Sequence, residues 1–430
     1  MTTTTTRDET RAAAADKGAA MLMHRCGVLA QCTEKQGEIL RTFLSPAMDE
    51  VHRTMRGWME AAGIAVAVDR AGNLRGVYPA DSGGEARRLV IGSHLDTVPN
   101  AGAYDGVLGV LIGLAFVEAS AERKDPFAIE VIGFSDEEGT RFGAPFLGSR
   151  AVVGELAGDL LECVDGNGVS VAAAITNHAT QRPETIEAVL SDRCAAYLEF
   201  HIEQGPVLES RDLALGIVEG LAGQSRCKVE FRGHAGHAGT TPMKLRKDAL
   251  AGAAEWMTRV EAIAMRFGNA VATVGRIDAE PGGVNVIPGN VRCSLDVRHA
   301  EDPVRAALVR AAFDEARGVA AKRGLQVGTA QYHERPAVRL DVDLVSLAER
   351  AAERAGYATI RMTSGAGHDA MVIAPHVPSA MVFLRNPGGI SHHPEENVAE
   401  RDVAAAIHMG LCFLDEFAGH LAQKETGKLV

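Results

Sequence analysis

Three segments constrain this chain more than anything else in it. RRLVIGSHLDTV, FAIEVIGFSDEEG and CAAYLEFHIEQGP each run apolar for a strand's length and then stop on His, Asp or Glu. A strand that is apolar on both sides has no face for water, so it belongs inside a sheet covered by helices on both sides. Helical stretches alternate with these strands, which is the pattern of an α/β layer with a largely parallel sheet. In such sheets the site lies beyond the carboxyl ends of the strands. Those ends are where SHLD, SDEEG and EFHIEQG fall.

The rest of the chain fills in around them. A helical pattern runs from about 16 to 44, and a second from 46 to 62. VAVD and NLRGVY then read as two short strands around the turn Arg70-Ala71-Gly72-Asn73. Asp105 opens DGVLGVLIGLAFVEASAERK, read as a buried helix with an acidic N-cap and basic residues in its last turn. From about 216 the texture changes to amphipathic strands separated by helices at 248–267 and 302–323. This β-α-β-β-α-β order suits a small α+β domain of the ferredoxin-like kind. After 332 the α/β texture resumes. The expected organisation is therefore an α/β domain made of 1–215 and 333–430, interrupted by an inserted α+β domain at 216–332.

Composition excludes several classes. The 430 residues carry 44 Lys and Arg against 56 Asp and Glu, a net charge of −12. An acidic chain lacks the basic face that nucleic-acid binding needs, and it lacks a polybasic membrane anchor. No apolar run approaches the ~18 residues of a membrane span. The seven cysteines are odd in number and form no C-x-x-C pair. Buried reduced thiols in a cytoplasmic protein are expected, not a disulfide framework or a thiolate zinc site. The start, MTTTTTRDETRAAAADKGAA, has no apolar core of a secretory signal, and its Thr run reads as a loose tip.

His94 and Asp96 are two apart in an extended segment, so they lie on one side, and Asp96 can orient His94 as carboxylates do for metal-bound imidazoles. Asp105 follows a Gly-rich turn. Asp136, Glu137 and Glu138 are adjacent carboxylates, which repel one another unless a cation sits among them. His201 ends the next strand, and His392 lies in GGISHHPEE. Each feature alone also suits an ordinary loop or cap. Together they offer nitrogen and oxygen ligands with no thiolate, which suits a hydrolytic site for a borderline divalent metal such as Zn²⁺ or Mn²⁺. Two cations about 3.5–4 Å apart that share a carboxylate can hold a hydroxide and polarise a carbonyl. A further carboxylate, free of metal, is needed to move the proton.

With GSHLDTV, YDGVLGV, DEEGTRF, HIEQGPVLE, GHAGTTPM, GGVNVIPG, DVRH, SGAGHDAM and GISHHPEE in that order, the chain resembles the M20-type metallopeptidase superfamily. Within it the chain is similar to the hydantoinase/carbamoylase amidases, which include N-carbamoyl-L-amino acid hydrolases, allantoate amidohydrolases and β-ureidopropionases. The resemblance implies a homodimer with two divalent ions per subunit, Zn²⁺ or Mn²⁺, with Co²⁺ or Ni²⁺ as alternatives. It implies His94, Asp105 and His201 around one ion, and Asp105, Glu138 and His392 around the other. Glu137 would be the general base and later the acid. His201 departs from the peptidase branches, which usually carry an acidic residue there, and points to the carbamoylase branch. Of His392 and His393, the residue directly after Ser is the expected ligand.

The same resemblance makes the inserted domain a dimerisation and lid domain. Arg226, His237, Asn285 and Arg298 would contact substrate from it, with Gln204 and Gly367 from the catalytic domain. Asp96, His368 and Asp369 would stand behind the ligands. The implied reaction is hydrolysis of the ureido C–N bond of an N-carbamoyl-L-amino acid, or alternatively of allantoate. An aminopeptidase or dipeptidase of the same superfamily and a catalytically silent ligand-binding relative are the remaining alternatives. A serine hydrolase is excluded by the absence of G-x-S-x-G.

Overall fold

The computed structural model describes residues 2–81, 83, 86–119 and 124–427. The chain divides into two compact units. The first comprises Met1–Glu219, Leu340–Met362 and Gly367–Val430, the second Gly220–Arg339 with Thr363–Ala366.

The first unit is built on a sheet. Its strands are β1 (Ala65–Val68), β2 (Leu74–Tyr78), β3 (Arg88–His94), β4 (Ala128–Phe134), β5 (Cys194–Ile202), β6 (Leu215–Leu221) and a late strand, Ser379–Leu384. Along the sheet they run β1, β2, β4, β3, β5, the late strand, β6. The four central strands are mutually parallel. The flanking β1, β2 and β6 pair antiparallel. β4 and the late strand are buried along their whole length, as two covered faces require.

The helix Val107–Ala119 is apolar all round and buried from Val107 to Val117. Such a helix belongs between layers. It packs on β3, β4 and β5 and is covered by the helices Thr2–Leu29 and Glu400–Glu425. Gly109 permits its close approach, because a Cβ there would strike the carbonyl of Phe200 on β5. Each fully buried Leu or Ile of this helix contributes about 1.5–3 kcal/mol by leaving water.

Several local expectations change. The helix Thr2–Leu29 takes in the Thr run that reads as a loose tip. The helical pattern assigned to 16–44 stops at Leu29, because 30–45 makes other bonds. Thr33 Oγ1 accepts the N–H groups of Lys35 and Leu40 at 3.2 and 3.0 Å, and the Arg41 carbonyl accepts the N–H of Thr97 while its own N–H donates to Thr97 Oγ1. Asp105 does not cap the Val107–Ala119 helix with its carboxylate, which turns into the site described below. Of the basic residues assigned to that helix's last turn, Arg123 lies outside the described residues and Lys124 lies beyond the helix, which ends at Ala119.

The second unit has a five-stranded antiparallel sheet. Strand Ile277–Glu280 pairs with Asn290–His299, which pairs with Gly223–Arg232, which pairs with Gln326–Arg335; Val271–Thr273 also pairs with Asn290–His299. The helices Ala249–Ala264 and Asp302–Arg323 pack on one face. Strand Asn290–His299 shows why: Val291, Cys293, Leu295 and Val297 are buried, while Arg292, Ser294, Asp296 and Arg298 face the other way. Element order and strand order are those of a ferredoxin-like α+β layer. The unit begins and ends later than the 216–332 read from texture, since β6 and the strand Gln326–Arg335 run through those limits.

Candidate metal centre

β3 and β5 are parallel neighbours, so their carboxyl ends bring His94 and His201 side by side. The two Nε2 atoms are 3.4 Å apart. Each Nδ1 faces a carbonyl, that of Asp96 at 3.1 Å from His94 and that of Ile202 at 2.9 Å from His201. A carbonyl only accepts, so each Nδ1 carries the proton and, in the neutral ring, each Nε2 presents a lone pair. Both Nε2 atoms face Asp105 Oδ1, at 3.6 Å from His94 and 3.1 Å from His201. That oxygen is buried and accepts no hydrogen bond. Three lone-pair donors converging on one point fit a divalent cation.

A second group forms on the other oxygen of Asp105. His392 Nε2 lies 3.3 Å from Asp105 Oδ2 and 3.2 Å from Glu138 Oε1. Asp105, Glu138 and His392 are close enough to share a second ion, with Asp105 common to both groups. His94, Glu137 and Glu138 form a third grouping. His393 stands apart, its Nδ1 accepting the backbone N–H of Glu395 at 3.2 Å.

The electrostatics express the same demand for positive charge. Burial opposes a proton on His94, but the Asp105 and Asp96 carboxylates outweigh it and hold its pKa well above the ordinary value. His201 is raised in the same sense by Asp105 against burial. Asp105 and Glu138 push His392 up to about 10. Burial would raise Asp105, yet His201, His392 and His94 hold it well below the usual carboxylate range. Glu137 behaves differently: burial first, then Glu138, push it well above the usual range. A carboxyl group so tuned is suited to take and return a proton.

Asp96 is buried behind this cluster. Its Oδ1 and Oδ2 accept the backbone N–H groups of Glu137 and Glu138 at 2.9 and 3.1 Å. Its Oδ1 also lies 3.4 Å from His94 Nδ1. The His368 ring lies against His201, tilted by 59° with ring centroids 4.3 Å apart, and burial and His201 hold its pKa well below the ordinary histidine value. Burial and Glu199 raise Asp369. Gly367 is half-buried at the start of this segment.

Gln204, expected at the substrate, donates from Nε2 to Asp105 Oδ2 and to Ser391 Oγ, both at 3.0 Å. Sequence reasoning misses three further residues here. Ser391 Oγ donates to Asp105 Oδ2 at 3.0 Å. Glu396 accepts the N–H groups of Tyr104 and Asp105 at 2.9 and 3.0 Å. Glu199, wholly buried on β5, accepts from Ser93, Tyr197 and the N–H of Ala370. The signal for Glu396 is its place four residues after His392 in an irregular segment; Glu199 gives none beyond an acid inside an apolar strand.

Arg226, His237, Asn285 and Arg298 belong to the second unit. Arg298 Nε and Nη2 donate to Asp296 at 2.9 and 3.3 Å, and its Nη1 to the Gly365 carbonyl at 2.7 Å. Arg226 shares Asp296 at 3.4 Å. His237 and Asn285 are exposed neighbours, since Ala238 N donates to the Asn285 carbonyl.

The family model of peptidase family M20/M25/M40 matches residues 90–416. An allantoate deiminase of Arabidopsis thaliana is 38% identical, over 90% of this chain and 79% of its own length. An N-carbamoyl-L-amino acid amidohydrolase of Geobacillus stearothermophilus is 39% identical, over 82% of this chain and 87% of its own. A crystal structure of a hydantoinase/carbamoylase family amidase from Burkholderia multivorans superposes with a TM-score of 0.87 at 31% identity, covering 93% of this chain and 97% of that one. A metal-type cluster at the strand ends and likeness along nearly the whole chain lead to one conclusion: the chain belongs to peptidase family M20/M25/M40, and within it to the hydantoinase/carbamoylase amidases, which are metal-dependent hydrolases.

Proposed function

We propose that the protein is a two-ion amidohydrolase of ureido acids, with N-carbamoyl-L-α-amino acids as first substrate class and allantoate as second. The observation that carries this is Asp105 Oδ1, buried without a donor and faced by two imidazole Nε2 atoms. His94, Asp105 and His201 would hold one ion, and Asp105, Glu138 and His392 the other, with Zn²⁺ or Mn²⁺ the best match to the donors. Bound there, the ions supply Lewis acidity toward a carbonyl and a nucleophile at neutral pH.

The protein's own groups do the rest. A ureido carbonyl is a poor electrophile because both nitrogens donate into it, so the proton must move with the bond changes. Glu137 takes a proton from the attacking water and returns it to the leaving nitrogen. R–NH–CO–NH₂ and water give R–NH₂, carbon dioxide and ammonia. Gln204 and Ser391 hold the Asp105 carboxylate, and Asp96 holds the backbone of Glu137 and Glu138. In the second unit, the guanidinium groups of Arg226 and Arg298 suit the substrate carboxylate. His237 suits the developing oxyanion, and Asn285 and Gly367 offer polar contacts.

A homodimer working in the cytoplasm completes the reading. All seven cysteines are free, which suits a reducing compartment, and among the described residues no helix is long and apolar enough to cross a membrane. The allantoate reading is favoured by relatives of that name at an identity close to that of the carbamoyl amino acid hydrolases. The test is ammonia release from N-carbamoyl-L-amino acids, allantoate, N-carbamoyl-β-alanine and a ureidoglycolate, with a dipeptide as control, before and after chelation. Ammonia from at least one ureido acid, lost on chelation and restored by Zn²⁺, Mn²⁺ or Co²⁺, is expected. Full activity in verified metal-free protein, or cleavage of the dipeptide alone, overturns it.

A further inference from the structure

The ligand-type residues of the centre are not held equally. His94 and His201 sit on β3 and β5, fixed by the sheet ladder. His392 sits on an irregular segment beyond the strand Ser379–Leu384, at φ 57° and with its side chain 48% exposed. No strand pairing sets its distance from Asp105, so side chains must.

Glu396 is placed to do this. It is 5% exposed. Its Oε1 accepts the N–H groups of both Tyr104 and Asp105. Its Oε2 lies 3.3 Å from Ser391 Oγ, which lies 3.0 Å from Asp105 Oδ2. Its own N–H closes the turn onto the His393 carbonyl at 3.0 Å. Gly102 makes room, since any Cβ there would run into the Glu396 side chain. One carboxylate thus binds the backbone of Asp105 to the segment that carries His392. Other ties reach the Asp105 carboxylate, as Ser391 Oγ and Gln204 Nε2 do, or the segment after β5, as Asn386 Oδ1 does in accepting the N–H of Gln204 at 3.0 Å; Glu396 holds the Asp105 backbone.

We infer that Glu396 is a positioning residue that sets the spacing between Asp105 and His392, so that the second ion depends on it and the first does not. The inference rests on the two-ion reading above. Ser391 has one hydroxyl proton for two carboxylates. In Glu396→Gln, the amide oxygen still accepts the two backbone N–H groups, and the amide N–H donates to Ser391 Oγ, freeing its proton for Asp105. In Glu396→Ala both links are gone. Loss of such an outer partner costs about 10–100-fold in metal affinity.

The experiment is calorimetric titration of Zn²⁺ or Mn²⁺ into metal-stripped wild type, Glu396→Ala and Glu396→Gln, with thermal melts of the metal-free proteins. Wild type is expected to bind two ions. The Ala variant should bind the first as wild type does and the second at least ~10-fold more weakly. The Gln variant should bind both near wild type, with melts close together for all three. Glu396→Asp keeps the charge but shortens the reach; it replaces Ala where Ala does not fold, and must also weaken the second ion alone. Two ions bound with unchanged affinity in the Ala or Asp variant overturn the inference. So does loss of both ions together with a lowered melt, which would mark Glu396 as merely structural. A single ion in the wild type overturns the two-ion reading itself.

Discussion

Asp96 Oδ1 accepts the backbone N–H of Glu137 at 2.9 Å, and the same carboxylate reaches Glu138 N and His94 Nδ1. One buried side chain therefore places a candidate base, a candidate ligand of one ion and a candidate ligand of the other. Asp96→Ala should lower metal affinity by about 10–100-fold at both ions, the scale for lost outer partners. Asp96→Asn should fall between, because its amide accepts on one side only. Metal titration checks this; unchanged binding at either ion would dissolve the shared-support argument.

Glu137→Gln and Glu138→Gln should separate chemistry from binding. The Gln at 137 keeps shape but cannot take a proton, so metal content near wild type and a kcat loss of at least ~10² are expected. The Gln at 138 should lose occupancy of the His392 ion. Elemental analysis beside single-turnover rates decides it, and exchanged phenotypes would reverse the two roles.

Arg298 meets a carboxylate already, that of Asp296. If the substrate carboxylate takes that fork, Arg298→Ala should cost about 1.5–3 kcal/mol in kcat/KM, the scale of a hydrogen bond to a charged group. Lys should recover only part, having lost the planar fork. An analogue with an amide in place of the carboxylate should show almost no difference between wild type and variant. Equal losses with acid and amide would reassign Arg298 to structure.

His52 gives a pH dependence away from the centre. It is buried on the helix Pro46–Ala61, where burial first, then His178, Arg182 and Arg56, lower its pKa to about 3. An unfolded histidine titrates near ~6.5. Between those values the unfolded chain binds a proton that the folded chain refuses, so stability is full above about pH 6.5 and falls as pH drops. The slope is at most about 1.4 kcal/mol per pH unit. Urea midpoints of chelated protein between pH 7.5 and 5 should fall less steeply in His52→Gln. Parallel slopes would remove His52 from the acid response.

The fold was legible where physics is local. A strand apolar on both faces must be covered, so β3, β4 and β5 and their polar ends announce a layered sheet. The alternation in strand Asn290–His299 likewise announces one covered face. What sequence does not show is who answers whom across distance. Glu396 and Asp105 are 291 positions apart, and nothing near either marks the pairing. Gln204 is a substrate contact by resemblance alone, and its bond to Asp105, 99 positions away, is equally unmarked in the sequence. The segment 30–45 keeps helical apolar spacing, but Thr33 and Arg41 offer its backbone better partners than the next turn would.

The late strand Ser379–Leu384 lies between β5 and β6, in the middle of a sheet whose other strands precede it in the chain. During synthesis, β5 leaves the ribosome long before its neighbour on that side exists. The second unit is nearly contiguous and made of antiparallel pairs, so it can form first, while one edge of β5 waits unpaired. A chain released before Ser379 would expose that edge, an apolar template for another chain. Premature stops in the last stretch of the message should therefore yield aggregates and not merely inactive protein.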